Sequence, residues 1–240
     1  MLKLIGFDAD DTLWHSEVYF RTAHDEFEKI LANYLDLSNI KVHEHLLDVE
    51  RRNIKLFGYG AKGMTLSMLE TAISISNERI SAKHLHEIIG LGKEVLLHPV
   101  SLIDGIEQAV KDIAKEYQVV LITKGDLFHQ ESKVAQSGLS SLFGRIEIVS
   151  EKDPATYQRV LAEFGLAAHQ FLMVGNSLRS DIAPVLQIGG YAVHMPYTVT
   201  WALEHDENFV PDKNRMSVVD SAQCIPDAVH ALALKAARIH

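Results

Sequence analysis

Five short apolar runs constrain how this chain folds more than any other feature: Leu4 to Phe7, Val119 to Thr123, Ile146 to Val149, Phe171 to Val174 and Tyr191 to His194. Each is too short for a helix and rich in Val and Ile, as strands buried on both faces of a parallel sheet are. Helical periodicity fills Gly105 to Tyr117, Gly125 to Ser137, Pro154 to Phe164 and Asp181 to Ile188, so strand and helix alternate in the α/β manner. Cap signals punctuate the helices. Asp104 with Glu107 reads as a capping box, Asp153 before Pro154 as an N-cap with proline at the first helical position, and Gly189–Gly190 as a C-terminal stop.

From about His15 to His98 the pattern changes. No run there reads as a strand, and Ser16 to Leu35, Val42 to Leu56, Thr65 to Ile75 and Ala82 to Leu97 are amphipathic. The chain is therefore expected to be α/β, with a Rossmann-like parallel sheet core split into 1–14 and 99–240 around an all-helical domain over 15–98. At 240 residues with 47% hydrophobic and 23% charged, it has enough apolar material for such a core.

Charge narrows the partners. Lys and Arg total 23 against 32 Asp and Glu, a formal net charge of −9, which disfavours nucleic acid and acidic membrane surfaces. Cys224 is the single cysteine and suits a reducing compartment. The opening MLKLIGFDADD meets charge too early for a signal peptide, and no apolar stretch reaches the roughly 18 residues of a membrane span. A cytoplasmic location is the resulting expectation.

Four strand ends carry chemistry. In IGFDADDTL, Asp8 and Asp10 lie two residues apart at the carboxyl end of a strand, where open α/β sheets bind ligands. Two such carboxylates repel unless a cation or a shared proton intervenes. A calcium-loop reading fails, because Leu13 and Tyr19 stand where that loop needs glycine and glutamate. In VVLITKGD, Thr123, Lys124 and Gly125 end a strand and open a helix, which makes a seat for an anion. In IEIVSEKDPATY, Lys152 precedes a capped helix and competes with Lys124 to neutralise that anion. In FLMVGNSLRSDI, Asn176 and Asp181 offer oxygen ligands to a hard cation such as magnesium. Each string taken alone also fits a turn or a helix cap. Four of them on one sheet edge leave coincidence a poor account.

Together these residues resemble the haloacid dehalogenase superfamily of phosphohydrolases, whose motifs are Asp-x-Asp-x-Thr, a strand-terminal Thr or Ser, a Lys and a Gly-Asp-rich acidic motif. The resemblance spans the chain, and the helical insertion resembles the family's first-position cap. It implies Asp8 as nucleophile, Asp10 as acid/base, Thr123 as phosphate contact, Lys152 as the cation and Mg2+ held at Asp8, Asp10, Asn176 and Asp181. The implied substrate is a small phosphorylated metabolite, hydrolysed through a phospho-aspartate. A phosphomutase, or a binding protein without turnover, is the alternative on the same scaffold. Two departures stand out: Asn176 replaces the family's usual Asp, which lowers the expected metal affinity, and one residue separates Lys152 from Pro154 where Lys-Pro-x-Pro is common.

Other strings are set aside. GYGAKG, Gly58 to Gly63, fits a dinucleotide-loop pattern, but a charged helical segment precedes it where a strand is required. It reads instead as a cap loop in which Tyr59 and Lys62 face a substrate, alongside Lys124 and Gly125. The pairs His43/His45 and His84/His86 are spaced for different helix faces and make poor chelates.

Overall fold

The computed structural model describes residues 1–38, 40–206 and 208–239. Among these, the strands are β1 (Leu4–Phe7), β2 (Gln118–Lys124), β3 (Arg145–Val149), β4 (Phe171–Gly175), β5 (Tyr191–His194) and β6 (Met216–Val218). They form one parallel sheet in the order β3-β2-β1-β4-β5-β6. β1 is central, and all four of its residues are buried. Gly6 lets the neighbouring strand's side chains close over it, because a Cβ there would lie 2.8 Å from the Phe171 ring.

Alternation along the strands sorts side chains onto two faces. Ile5, Phe7, Val119, Leu121, Leu172 and Val174 fall in one core cluster, while Leu4, Val120, Ile122, Phe171 and Met173 fall in another. A fully buried Leu, Ile or Phe stabilises the fold by about 1.5–3 kcal/mol. Two-sided burial is what makes these strands continuously apolar.

Contacts between residues divide the chain into two compact units, Met1–His15 with Val100–Lys124 and Gln130–His240, and Ser16–Pro99 with Gly125–His129. The helical unit holds α1 (Glu17–Leu31), α2 (Val42–Phe57), α3 (Ala61–Ile75) and α4 (Ala82–Leu97). Helices α3 and α4 approach closely at Gly92, where a Cβ would lie 1.8 Å from Thr65 Oγ1. The stretch read as a loop over Gly58 to Gly63 is shorter than that. Gly60, at φ 105°, is the N-cap of α3, so Lys62 and Gly63 lie in its first turn.

In the sheet unit, α5 (Ile106–Ala114) and α9 (Ile225–Ile239) pack on the face of Ile5 and Phe7, and α7 (Pro154–Glu163) and α8 (Ala183–Gln187) on the face of Leu4. Helix α6 spans Leu127–Ser137. The capping box expected at Asp104 is absent: Gly105, in the left-handed region, caps α5, and Asp104 accepts from Gln223 instead. The segment read as a helix from Asp181 opens as a π-turn, Leu178–Ile182, before α8. At α7 the cap expected from sequence is present, with Asp153 accepting from the Thr156 amide at 2.7 Å. Asp153→Ala should cost about 1 kcal/mol and lower the thermal midpoint by about 2–4 °C. An unchanged midpoint in a calorimetric scan would show the cap to be redundant.

Candidate active site

Past β1 the chain keeps its register for one residue, since the Asp8 amide donates to the Val174 carbonyl at 2.9 Å. It then turns. The amides of Thr12, Leu13 and Trp14 all converge on the Ala9 carbonyl, and Asp11 sits at φ 62°, a conformation Asp tolerates better than most residues. The turn folds Thr12 back so that its hydroxyl lies 3.2 Å from Asp8 Oδ2 and 3.4 Å from Asn176 Oδ1.

Lys152, from the junction of β3 and α7, reaches the same place. Its Nζ donates to Asp8 Oδ1, and to Asp181 Oδ1 at 2.8 Å, with all three side chains at most 9% exposed. The π-turn after β4 delivers Asp181 inward, where its Oδ2 accepts from the Ser177 amide at 3.0 Å. Gly175 makes room for it, because a Cβ there would lie 2.3 Å from Asp181 Oδ2. Two buried carboxylates thus share one ammonium. Burial, then the Asp181 charge, push the Asp8 carboxyl up to about 7 against the opposing pull of Lys152. Burial by itself lowers Lys152, but Asp181 and Asp8 outweigh it and hold the ammonium above its ordinary range.

Asp10 does not share these partners, although the two carboxylates were expected on one side. It accepts from Trp14 Nε1 at 2.6 Å, from Gln130 Nε2 at 2.8 Å and from Lys133 Nζ. Burial raises its pKa, but Lys133 and the three hydrogen bonds more than offset that and leave it below the ordinary carboxylate value. Gln130 and Lys133 were not foreseen. Their signal is a polar pair on the buried stripe of α6, where His129, Gln130, Lys133 and Val134 are all buried.

The two lysines take different partners. Lys124 Nζ goes to Ser180 Oγ at 2.8 Å and to Glu204 Oε1 at 2.5 Å, whereas Lys152 contacts Asp8. Thr123 lies at the end of β2, 1% exposed. Gly125, at φ 144°, begins the short segment that clusters with the helical unit. There Asp126 takes Lys62 Nζ at 2.9 Å on each oxygen, with Phe128 beneath the ammonium, so Lys62 is ion-paired. Tyr59 is partly buried in the same unit.

Among the described residues no group of three or more His, Cys, Asp or Glu is arranged to hold a metal ion. Two carboxylates, Asp8 and Asp181, are nonetheless enough for a cation that keeps several waters, as magnesium does. The donor chemistry fits. Asp8 Oδ2 and Asn176 Oδ1 converge on one Thr12 hydroxyl, whose single proton cannot serve both oxygens. Two carboxylates against one ammonium also leave the buried cluster net negative.

A parallel sheet thus presents an aspartate, a lysine and a second aspartate at its carboxyl edge, a candidate active site on an α/β fold. Residues 2–189 match the profile of the haloacid dehalogenase-like hydrolases, and the chain belongs to that family. A haloacid dehalogenase-like family hydrolase from Xanthomonas campestris is 54% identical, with a TM-score of 0.90 over 100% of this chain and 95% of that one. A 2-haloacid dehalogenase from Pseudomonas syringae pv. Tomato DC3000 shares the fold at 20% identity and a TM-score of 0.61, over 96% of this chain and 99% of that one. A predicted phosphoglycolate phosphatase from Haemophilus somnus 129pt does so at 17% and 0.62, over 95% and 98%. A search of the curated proteins returns no match. Neighbours named for two chemistries share this fold, so the fold alone leaves open which bond is cleaved. No helix among the described residues is long and apolar enough to cross a membrane.

Lys152→Met, with chelator present, should lower the unfolding free energy near neutral pH by about 3–5 kcal/mol, because it strands two buried carboxylates. Asp8, with a folded value of about 7 against an ordinary aspartate's 3.8, takes up a proton on folding, so its contribution weakens the fold as pH rises through that window. Without Lys152 to favour ionisation, Asp8 holds its proton to still higher pH in the variant, so the deficit should shrink as pH falls from alkaline values towards 7. Urea denaturation on both sides of that value tests this, and a deficit independent of pH would remove the shared-charge account.

Proposed function

We propose that the chain is a magnesium-dependent phosphatase acting on a small phosphorylated metabolite through a phospho-aspartate on Asp8. The observation that carries this reading is Asp10, a second carboxyl two residues from the first with its own set of donors. Displacing halide from carbon requires no acid, whereas an alkoxide leaving phosphorus does. Asp8 attacks phosphorus in line, and the ester bond breaks as Asp10 gives its proton to the leaving oxygen. Asp10 then takes a proton from the water that attacks the phospho-aspartate, which returns Asp8 and releases phosphate.

Lys152 favours the anionic form of Asp8 and offsets charge on the phosphoryl oxygens. Thr123 supplies a hydroxyl to one of those oxygens. The Asp8 and Asp181 carboxylates, Asn176 and the Asp10 carbonyl would hold magnesium, which would supply positive charge that lets two anions meet. To carry a proton Asp10 must part from Lys133, because an ion-paired carboxyl is a weak acid catalyst. The helical unit is read as the cap that recognises the leaving group, since the core motifs address only the phosphoryl group.

Hydrolysis of a panel of phosphorylated metabolites and of p-nitrophenyl phosphate, with and without Mg2+, tests the reading alongside halide release from 2-haloacids. Asp8→Asn should abolish turnover. Asp10→Asn should slow alkyl phosphates by about 10²–10⁴-fold in the phosphorylation step and p-nitrophenyl phosphate far less. Metal-independent halide release without phosphate release would assign the chain to dehalogenation instead. Asn176→Asp, which adds a charged ligand, should lower the Mg2+ concentration for half-maximal activity. An unchanged or higher requirement would take Asn176 out of the metal site.

A further inference from the structure

The segment after β5 lies beyond the family match, which ends at residue 189, yet its contacts run to the catalytic edge. The Met195 amide donates to the Gly175 carbonyl at 3.0 Å, and Tyr197 Oη lies 2.6 Å from His15 Nδ1. Arg179 Nη1 donates to the Leu203 carbonyl at 2.6 Å. Glu204 then places its carboxylate, 14% exposed, at the centre of three donors: Lys124 on Oε1, and Ser177 Oγ and Ser180 Oγ on Oε2 at 2.5 and 2.6 Å.

The position of these donors gives the contact its meaning. Lys124 ends β2, next to Thr123, and Ser177 and Ser180 belong to the turn that carries Asn176 and Asp181 after β4. In the sheet β2 and β4 are separated by β1, so no ladder hydrogen bond joins their carboxyl ends directly. From this geometry we infer that Glu204 is a positioning residue, a brace that spans the end of β1 and fixes Thr123 relative to Asn176 and Asp181 on either side of Asp8.

Charge-assisted bonds in a buried setting are the strong ones. Glu151 Oε1, 3.5 Å from Lys124 Nζ and about half exposed, is a poor substitute for Glu204. Without Glu204, therefore, both the Lys124 ammonium and the two serine hydroxyls lose their common acceptor. The turn keeps Lys124 Nζ on Ser180 Oγ at 2.8 Å, Lys152 Nζ on Asp181 Oδ1 at 2.8 Å and Tyr157 Oη on the Ser180 carbonyl at 3.0 Å, so the fold is expected to survive while the Lys124 ammonium and both serines are held less firmly.

The brace is independent of the phosphatase reading, whereas its effect on turnover rests on that reading, and two measurements separate them. Hydrogen exchange followed by mass spectrometry on Glu204→Gln and Glu204→Ala should show exchange faster by about tenfold or more, the equivalent of one lost net hydrogen bond, in peptides covering 123–126 and 176–182. Peptides from residues 16–99 should be unchanged. Exchange unchanged from the wild type in both segments would overturn the brace, and so would a change in only one of them.

With a phosphate monoester that the wild type hydrolyses, Glu204→Gln should lower kcat by about ten- to hundredfold through misplacement, raise the Mg2+ requirement and leave KM nearly constant. Lys124→Met should reproduce part of the loss, and the double variant should lose less than the sum of the two, as coupled residues do. Strict additivity would overturn the coupling to Lys124. Altered exchange in an enzyme whose wild type releases no phosphate would leave the brace standing and retire the phosphatase reading.

Discussion

One ammonium between two buried carboxylates organises this molecule. Lys152, Asp8 and Asp181 come from the ends of three different strands, and each is almost wholly removed from water. Removing three charges from solvent is expensive, so the surrounding backbone must satisfy what Lys152 alone does not. The Ser177 amide on Asp181 and the Thr12 hydroxyl near Asp8 contribute, and Gly175 lets the Asp181 carboxylate lie against the backbone. The π-turn at Leu178–Ile182 is the backbone form that accompanies this inward Asp181. A one-negative-charge surplus remains at the centre, which is the electrostatic opening for a cation or for a proton on Asp8.

The two aspartates of the first motif are driven in opposite directions. Asp8 is raised to about 7, first by burial and then by Asp181, while Asp10 lies below its ordinary value because Lys133, Gln130 and Trp14 overcome its burial. On the proposed reading Asp8 needs its charge and Asp10 its proton, so each depends on a further change at its own partners. Added positive charge beside Asp8 returns it towards the ordinary range, and release from Lys133 does the same for Asp10. Carboxyls two residues apart thus acquire opposite electrostatic settings through separate neighbours, not through sequence spacing.

The helical unit follows a different physical logic. Its four helices enclose their own apolar core, with Phe27, Leu46, Met68 and Ile88 among the buried residues, and Gly92 brings α3 and α4 together. The polar residues near Gly60 are tied locally, Lys62 to Asp126 and to the Phe128 ring. An ammonium already neutralised by a carboxylate is a weaker substrate anchor than an isolated lysine on a loop.

The sequence by itself determined five of the six strands among the described residues, their parallel class, the helical insertion and the four strand-end strings, because two-sided burial forces continuous apolar runs, and the candidate site residues follow those runs directly. Asp153 as the cap of α7 was legible for a similar reason, since the interaction spans three residues. Long-range choices were not legible. Only the fold decided that Lys152 and not Lys124 meets Asp8, that Lys133 and Gln130 hold Asp10, and that Glu204 gathers Lys124 with two serines. β6 escaped because three residues, Met-Ser-Val, carry no periodicity. The capping box at Asp104 failed because a left-handed Gly105 entered the helix first. Local patterns record what a residue does to its neighbours in the chain. Which buried charge finds which partner depends on strand order and on the side from which each helix returns, and those are settled only when the whole sheet has packed.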